Sequence, residues 1–153
     1  MIQGYDFPQF YLGVDPGYSG AVVALTHAGT VHSFIKFKET EADIAAFFKQ
    51  FYEVKRVFAY LEQVHSMPNQ GVSSTFKFGT QYGFCRGMLI SNKISFETIT
   101  PNKWQTIMKC KTGGNKNISK AKAQELFPKV NMTHAIADSM LIAECCRRSS
   151  INN

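Results

Sequence analysis

Apolar residues fall into short runs in the first half of the chain and into helical spacing in the second. Residues 9–15, Gln-Phe-Tyr-Leu-Gly-Val-Asp, make an aromatic and aliphatic run closed by Pro16-Gly17, which predicts a strand and a turn. Residues 20–26 follow a tight Gly17-Tyr18-Ser19-Gly20 turn, and residues 31–37 alternate after a second turn at 27–30. Three strands joined this closely predict an antiparallel meander. Thr40 then caps a helix, with Asp43 three residues on where a capping box usually has Glu. Ile44, Phe47, Phe48 and Phe51 recur at helical spacing, so this helix buries one face.

The pattern continues with a fourth strand over 56–61 that ends at Glu62, a polar loop over 66–71 and a long helix over 73–90. Phe76, Gly79, Gly83 and Gly87 line one side of that helix. Each glycine costs about 1 kcal/mol against alanine, so the spacing predicts close approach to another helix or a bound chain. A fifth strand covers 94–98, and Pro101 opens a short helix around Trp104. A Gly/Asn/Lys loop at 111–117 precedes a helix that starts at Asn117 or Ser119 and ends near Phe127-Pro128. The last helix covers 135–148, with Ile136, Met140, Leu141 and Ala143 as its apolar stripe. Antiparallel strands followed by parallel ones predict an α/β fold, a mixed five-stranded sheet flanked by helices.

Length and composition bound this picture without changing it. The 153 residues predict one domain with a real core, and 44% apolar residues predict a globular chain. No run approaches the roughly 18 apolar residues of a membrane span. Residues 1–6 do not read as a signal or transit peptide. Cys85, Cys110, Cys145 and Cys146 form no Cys-x-x-Cys pair, which argues against a zinc site and for reduced thiols in a cytoplasmic protein.

Charge narrows the partners. The net charge is +6, from 17 Lys+Arg against 11 Asp+Glu, and favours a polyanion. Lys103, Lys109, Lys111, Lys116, Lys120, Lys122 and Lys129 crowd into one region. Lys120 or Lys122 is placed to contact a phosphate near a scissile bond; a solvated helix face is the competing reading. Phe76, Lys77, Phe78, Tyr82 and Arg86 mix aromatics with bases, as single-strand and junction binders do, although core packing also explains such aromatics.

Three acids stand where a carboxylate is costly. Asp15 ends the first strand, Glu62 ends the fourth, and Asp138 interrupts an apolar helix. If the two strands are neighbours, both acids reach one edge of the sheet. His134 and Asp138 are four residues apart and share a helical face. Three oxygen donors and an imidazole suit one or two Mg2+ ions, with Mn2+ able to substitute, and two ions suit in-line displacement at phosphorus. Taken singly, Asp15 also fits a turn start, Glu62 a solvated rim and His134 a helix cap.

The runs Glu62-Gln63-Val64, Lys77-Phe78-Gly79 with Gly83, Pro101-Asn102-Lys103-Trp104 and Ala137-Asp138-Ser139-Met140 resemble the RuvC family of Holliday junction resolvases over nearly the whole chain. Ser73-Ser74-Thr75-Phe76 and Glu125-Leu126-Phe127-Pro128 are most similar to its phage and chloroplast-type branch. The resemblance implies an RNase H-like fold, a homodimer and metal-dependent symmetric nicking of four-way DNA junctions that leaves 5′-phosphate and 3′-hydroxyl ends. It implies metal ligation by Asp15, Glu62 and Asp138, with His134 where many relatives carry a further acid. It also implies an aromatic wedge just after the Glu62 position, which leaves His65 or Phe76 here.

Other classes fit less well. A sugar-kinase-like ATPase shares the first strand and turn but needs two such domains. A proofreading exonuclease usually begins Asp-x-Glu, whereas Gly17 follows Asp15 at that spacing. A ribonuclease H or a non-catalytic junction-binding protein remains compatible with the residues.

Overall fold

The computed structural model describes residues 7–63, 65 and 68–152. The reading of residues 1–6 as no leader, and Val64 of the Glu62-Gln63-Val64 run, lie outside the described residues. The elements in chain order are β1 (Phe10–Asp15), β2 (Ala21–Thr26), β3 (Val31–Lys36), α1 (Glu41–Lys49), β4 (Val57–Glu62), α2 (Val72–Ser91), β5 (Ser95–Ile99), α3 (Pro101–Ile107), α4 (Lys116–Leu126) and α5 (His134–Ile151). They build one sheet in the order β3-β2-β1-β4-β5. The β1–β2 and β2–β3 pairs are antiparallel, and the β1–β4 and β4–β5 pairs are parallel. Short turns allow only the antiparallel pairs; each parallel step is bridged by a helix, α1 or α2.

Alternation along the strands gives the sheet two apolar faces. Leu12, Val14, Val22, Ala24, Ala59 and Leu61 pack with Ile44 and Phe48 of α1 and Cys85 and Leu89 of α2. Ala21, Val23, Leu25 and Ile99 pack on the other face with Trp104, Ala123, Ile136 and Met140 of α3, α4 and α5. The four cysteines are buried free thiols. Among the described residues no helix is long and apolar enough to cross a membrane.

Helix α5 runs across β1, β2 and β4 and sets the geometry of the site. Its descent onto β1 depends on Gly13: a Cβ there would run into the backbone of Ser139 and Ala143. Gly13→Ala must therefore push α5 off the sheet. We expect it to cost about 2 kcal/mol or more, read as a lower urea midpoint at unchanged slope. A variant as stable as the parent would show that α5 does not depend on this contact.

The boundaries differ from the sequence expectations where side chains intervene. Asn115 accepts from the Asn117 backbone N–H and starts α4 at Lys116. Arg147 and Arg148 reach back to Glu144 at 2.8 and 2.6 Å and carry α5 to Ile151. The glycine side of α2 differs more. Gly79, Gly83 and Gly87 are exposed, with open space where each Cβ would lie. Within the chain nothing packs there, because α2 turns Cys85 and Leu89 toward the sheet instead.

Candidate functional site

Parallel pairing of β1 with β4 decides where the acids meet. Val14 pairs with Leu61, so Asp15 and Glu62, each one residue further on, end adjacent strands side by side. By alternation from Gly13, Asp15 points to the α5 face. Asp138 precedes Ser139, whose backbone packs over Gly13. Asp15, Glu62 and Asp138 accordingly line one cavity of about 300 Å³ at the C-terminal edge of the central strands. Gly20 closes it from behind: a Cβ at Gly20 would overlap the Asp15 carbonyl and crowd its carboxyl carbon at 3.1 Å.

The electrostatics are those of negative charge held partly out of water. Asp15 is pushed up to about 7, first by burial and then by the charge of Asp138, with Lys116 opposing. Glu62 is pushed up to about 8 by burial, then by Asp15 and Asp138. Trp104 and Lys116 pull it the other way. The Trp104 indole Nε1 is buried with no partner at hydrogen-bond geometry, so it lies near Glu62 without fully satisfying it. Asp138 Oδ1 is likewise buried without a partner. Among the described residues no three His, Cys, Asp or Glu side chains close into a ready-made metal cluster. The donor chemistry still fits a hard divalent cation. All three groups are carboxylates, they repel one another, and a buried carboxylate oxygen lacks a partner.

The other predicted residues fall into distinct places. His134, the first residue of α5, lines not this cavity but the adjoining one, a helical turn away from Asp138. Lys116, one of the crowded lysines expected to meet a polyanion such as DNA, lines the carboxylate cavity itself. Lys120 and Lys122 lie further along α4 and do not line it; Lys122 pairs with Glu125 at 3.1 Å. Phe76 is 75% exposed and, with Lys77, Phe78 and Tyr18, lines a cleft of about 500 Å³. Phe78 borders both that cleft and the carboxylate cavity. Arg86 is exposed and sits 5.9 Å from the Tyr82 and Phe96 rings. His65 is exposed just beyond β4.

Nothing in the sequence marks Trp104 as a neighbour of Glu62, nor the 110–115 loop as a wall of the cavity. That wall is ordered by Gln105, whose Oε1 accepts from the Thr112 backbone N–H at 3.2 Å. Gln105, Thr112 and Gly114 all line the carboxylate cavity. No spacing in the sequence marks this contact, which exists only once α3 is docked.

No protein-family model matches the sequence, and no curated relative matches it. Solved structures do. The chain is similar to Thermus thermophilus RuvC in complex with a Holliday junction substrate, with a TM-score of 0.60 and 11% identity over 89% of this chain and 91% of that one. It is also similar to a second Thermus thermophilus RuvC structure, with a TM-score of 0.58 and 13% identity over 94% and 96% of the two chains. At such identity the likeness establishes the fold: an RNase H-like mixed sheet with flanking helices.

Proposed function

We propose that this chain is a metal-dependent endonuclease that cuts branched DNA, resolving four-way junctions as a homodimer by paired phosphodiester hydrolysis. The observation that carries this reading is the convergence of Asp15, Glu62 and Asp138 on one basic-rimmed cavity, with Asp138 Oδ1 left without a partner. Divalent cations bound there, Mg2+ or Mn2+, would lower the cost of charge on the attacking and departing oxygens of an in-line displacement. Asp15, Glu62 and Asp138 would hold them. Lys116 stands across the cavity and offsets phosphate charge as it builds. Gln105 and the 110–115 loop fix the wall against which the sugar-phosphate lies. The products carry 5′-phosphate and 3′-hydroxyl ends.

The aromatic cleft of Tyr18, Phe76 and Phe78 beside the cavity supports contact with unpaired or splayed bases at a branch point. Phe76 is the better-placed wedge, since it borders this cleft. His134 is left by its position on the rim as a contact to the DNA backbone or an outer ligand. The homodimer follows from substrate symmetry, because two sites related by a two-fold axis face two like strands. The open glycine side of α2, with Val72 88% and Ile90 62% exposed, supports it. The Ser73–Phe76 and Glu125–Pro128 runs support the phage and chloroplast-type branch, with action in the cytoplasm, a host's if the chain is viral.

The test is a synthetic mobile junction with Mg2+, run beside linear duplex and RNA–DNA hybrid, together with sedimentation of the free protein. We expect nicked duplexes from the junction alone, no cutting in EDTA, and twice the 17.2 kDa chain mass. Cutting of the hybrid in preference to the junction would favour a ribonuclease H. Tight junction binding with no Mg2+-dependent nick would leave a binding protein.

A further inference from the structure

Beside the carboxylate cavity lies a second one of about 370 Å³ with the opposite charge. Lys36, Lys38, Lys116 and His134 line it, and no acidic residue does. Among the described residues none of the three lysines forms an ion pair. Lys116 is shared with the carboxylates next door, but Lys36 and Lys38 stand in the hollow with no carboxylate lining it, and a bound anion relieves their repulsion. The N-terminus of α5 opens on the same cavity through His134 and Ala135, and its cap residue Thr133 makes no side-chain cap. The helix dipole at this end adds to the pull on an anion.

The two cavities are not separate features of the surface. They share Ser19, Gly20 and Lys116. The sheet register explains the juxtaposition: Asp15 pairs with Ala21, and Ala21 pairs with Lys36, so acid and lysine lie in line across three strands. Two strand spacings separate them, about 10 Å. Lys38 follows in the turn after β3 and reaches the same hollow.

We propose that this basic cavity holds a backbone phosphate of the strand being cut, adjacent to the phosphate in the carboxylate cavity. The inference rests on the nuclease reading and adds a direction: the strand leaves the reactive centre toward β3, over the 17–20 turn. A contact of this kind reads no base. It sets the register of the scissile phosphate and makes binding depend on salt.

Junction affinity is measured over a salt series for the Asp15→Asn protein and for the same protein carrying Lys36→Gln and Lys38→Gln. Lys49→Gln with Lys55→Gln, remote from both cavities, serves as the control pair, and circular dichroism confirms folding. We expect the Lys36/Lys38 pair to lose about tenfold in affinity and to flatten the salt slope by about two, with no such change in the control. A junction bearing one neutral methylphosphonate next to the scissile position should bind the parent more weakly and the Lys36/Lys38 variant no differently. An unchanged slope, or equal losses for every neutralised phosphate, overturns the subsite while leaving the nuclease intact. Failure of the parent chain to bind or cut any junction overturns both.

Discussion

Asp15→Asn is expected to lower junction cutting by at least about 1000-fold while leaving junction affinity nearly unchanged. The two side chains have the same shape, and Gly20 packs closely on the backbone of residue 15. What changes is charge: an amide is a poor ligand for a hard cation and carries no formal charge to balance one. The bland account of Asp15, a residue that starts the Pro16-Gly17 turn, predicts the reverse, because asparagine serves such a turn equally well. A second readout separates lost chemistry from lost structure. Removing one of three mutually repelling carboxylates relieves the strain that raises Glu62, so the variant should melt higher than its parent in EDTA at pH 8. A protein damaged by the substitution would melt lower. Full cutting by Asp15→Asn in Mg2+ would end the assignment.

The sheet was legible because each strand announces itself by apolar alternation and each turn by its glycines and prolines. The meander, the helix cap at Thr40 and the acids at the ends of β1 and β4 needed only local pattern. The cavity was partly legible: parallel neighbours place their final residues side by side, so Asp15 and Glu62 meet wherever β1 and β4 pair. What remained hidden was tertiary. His134 and Asp138 share a face of α5, yet one helical turn was enough to put them in adjoining cavities of opposite charge. The choice among lysines was hidden too. Lys116, at the start of α4, faces the carboxylates, whereas Lys122 is taken up by Glu125. Trp104 carried an apolar signal and packs as one, but its N–H lies by Glu62. The glycines of α2 point the other way: the pattern asked for a partner that a single chain does not supply.

Without divalent ions the protein should lose stability as pH rises from about 5 to 8, and Mg2+ should restore it most at the top of that range. The folded-state values of about 7 for Asp15 and about 8 for Glu62 lie above the ordinary 3.8 and 4.5. Well below the ordinary values of 3.8 and 4.5 both groups are protonated whether the chain is folded or not, and they contribute nothing. Above that the unfolded chain gives up these protons, while the folded chain keeps them until about pH 7 at Asp15 and about pH 8 at Glu62. The folded state then binds more protons than the unfolded, and stability falls with pH. Glu144, held low by Arg147 and Arg148, acts with the opposite sign and only toward the acid end, where its protonation weakens the fold. The metal-free protein is therefore most stable toward the acid end of this range, between the two effects. Mg2+ competes with protons for the same oxygens, so its stabilisation is small at pH 5 and on the order of 5 °C in melting temperature at pH 8. Solvent reaches part of both side chains, which keeps the effect at that modest size. Thermal melts across pH, with EDTA or Mg2+, measure both slopes, and the Glu62→Gln variant should flatten them. A metal-free melting temperature that does not fall between pH 5 and 8, or a Mg2+ shift that is the same at both, would mean that these carboxylates do not share one water-poor cavity.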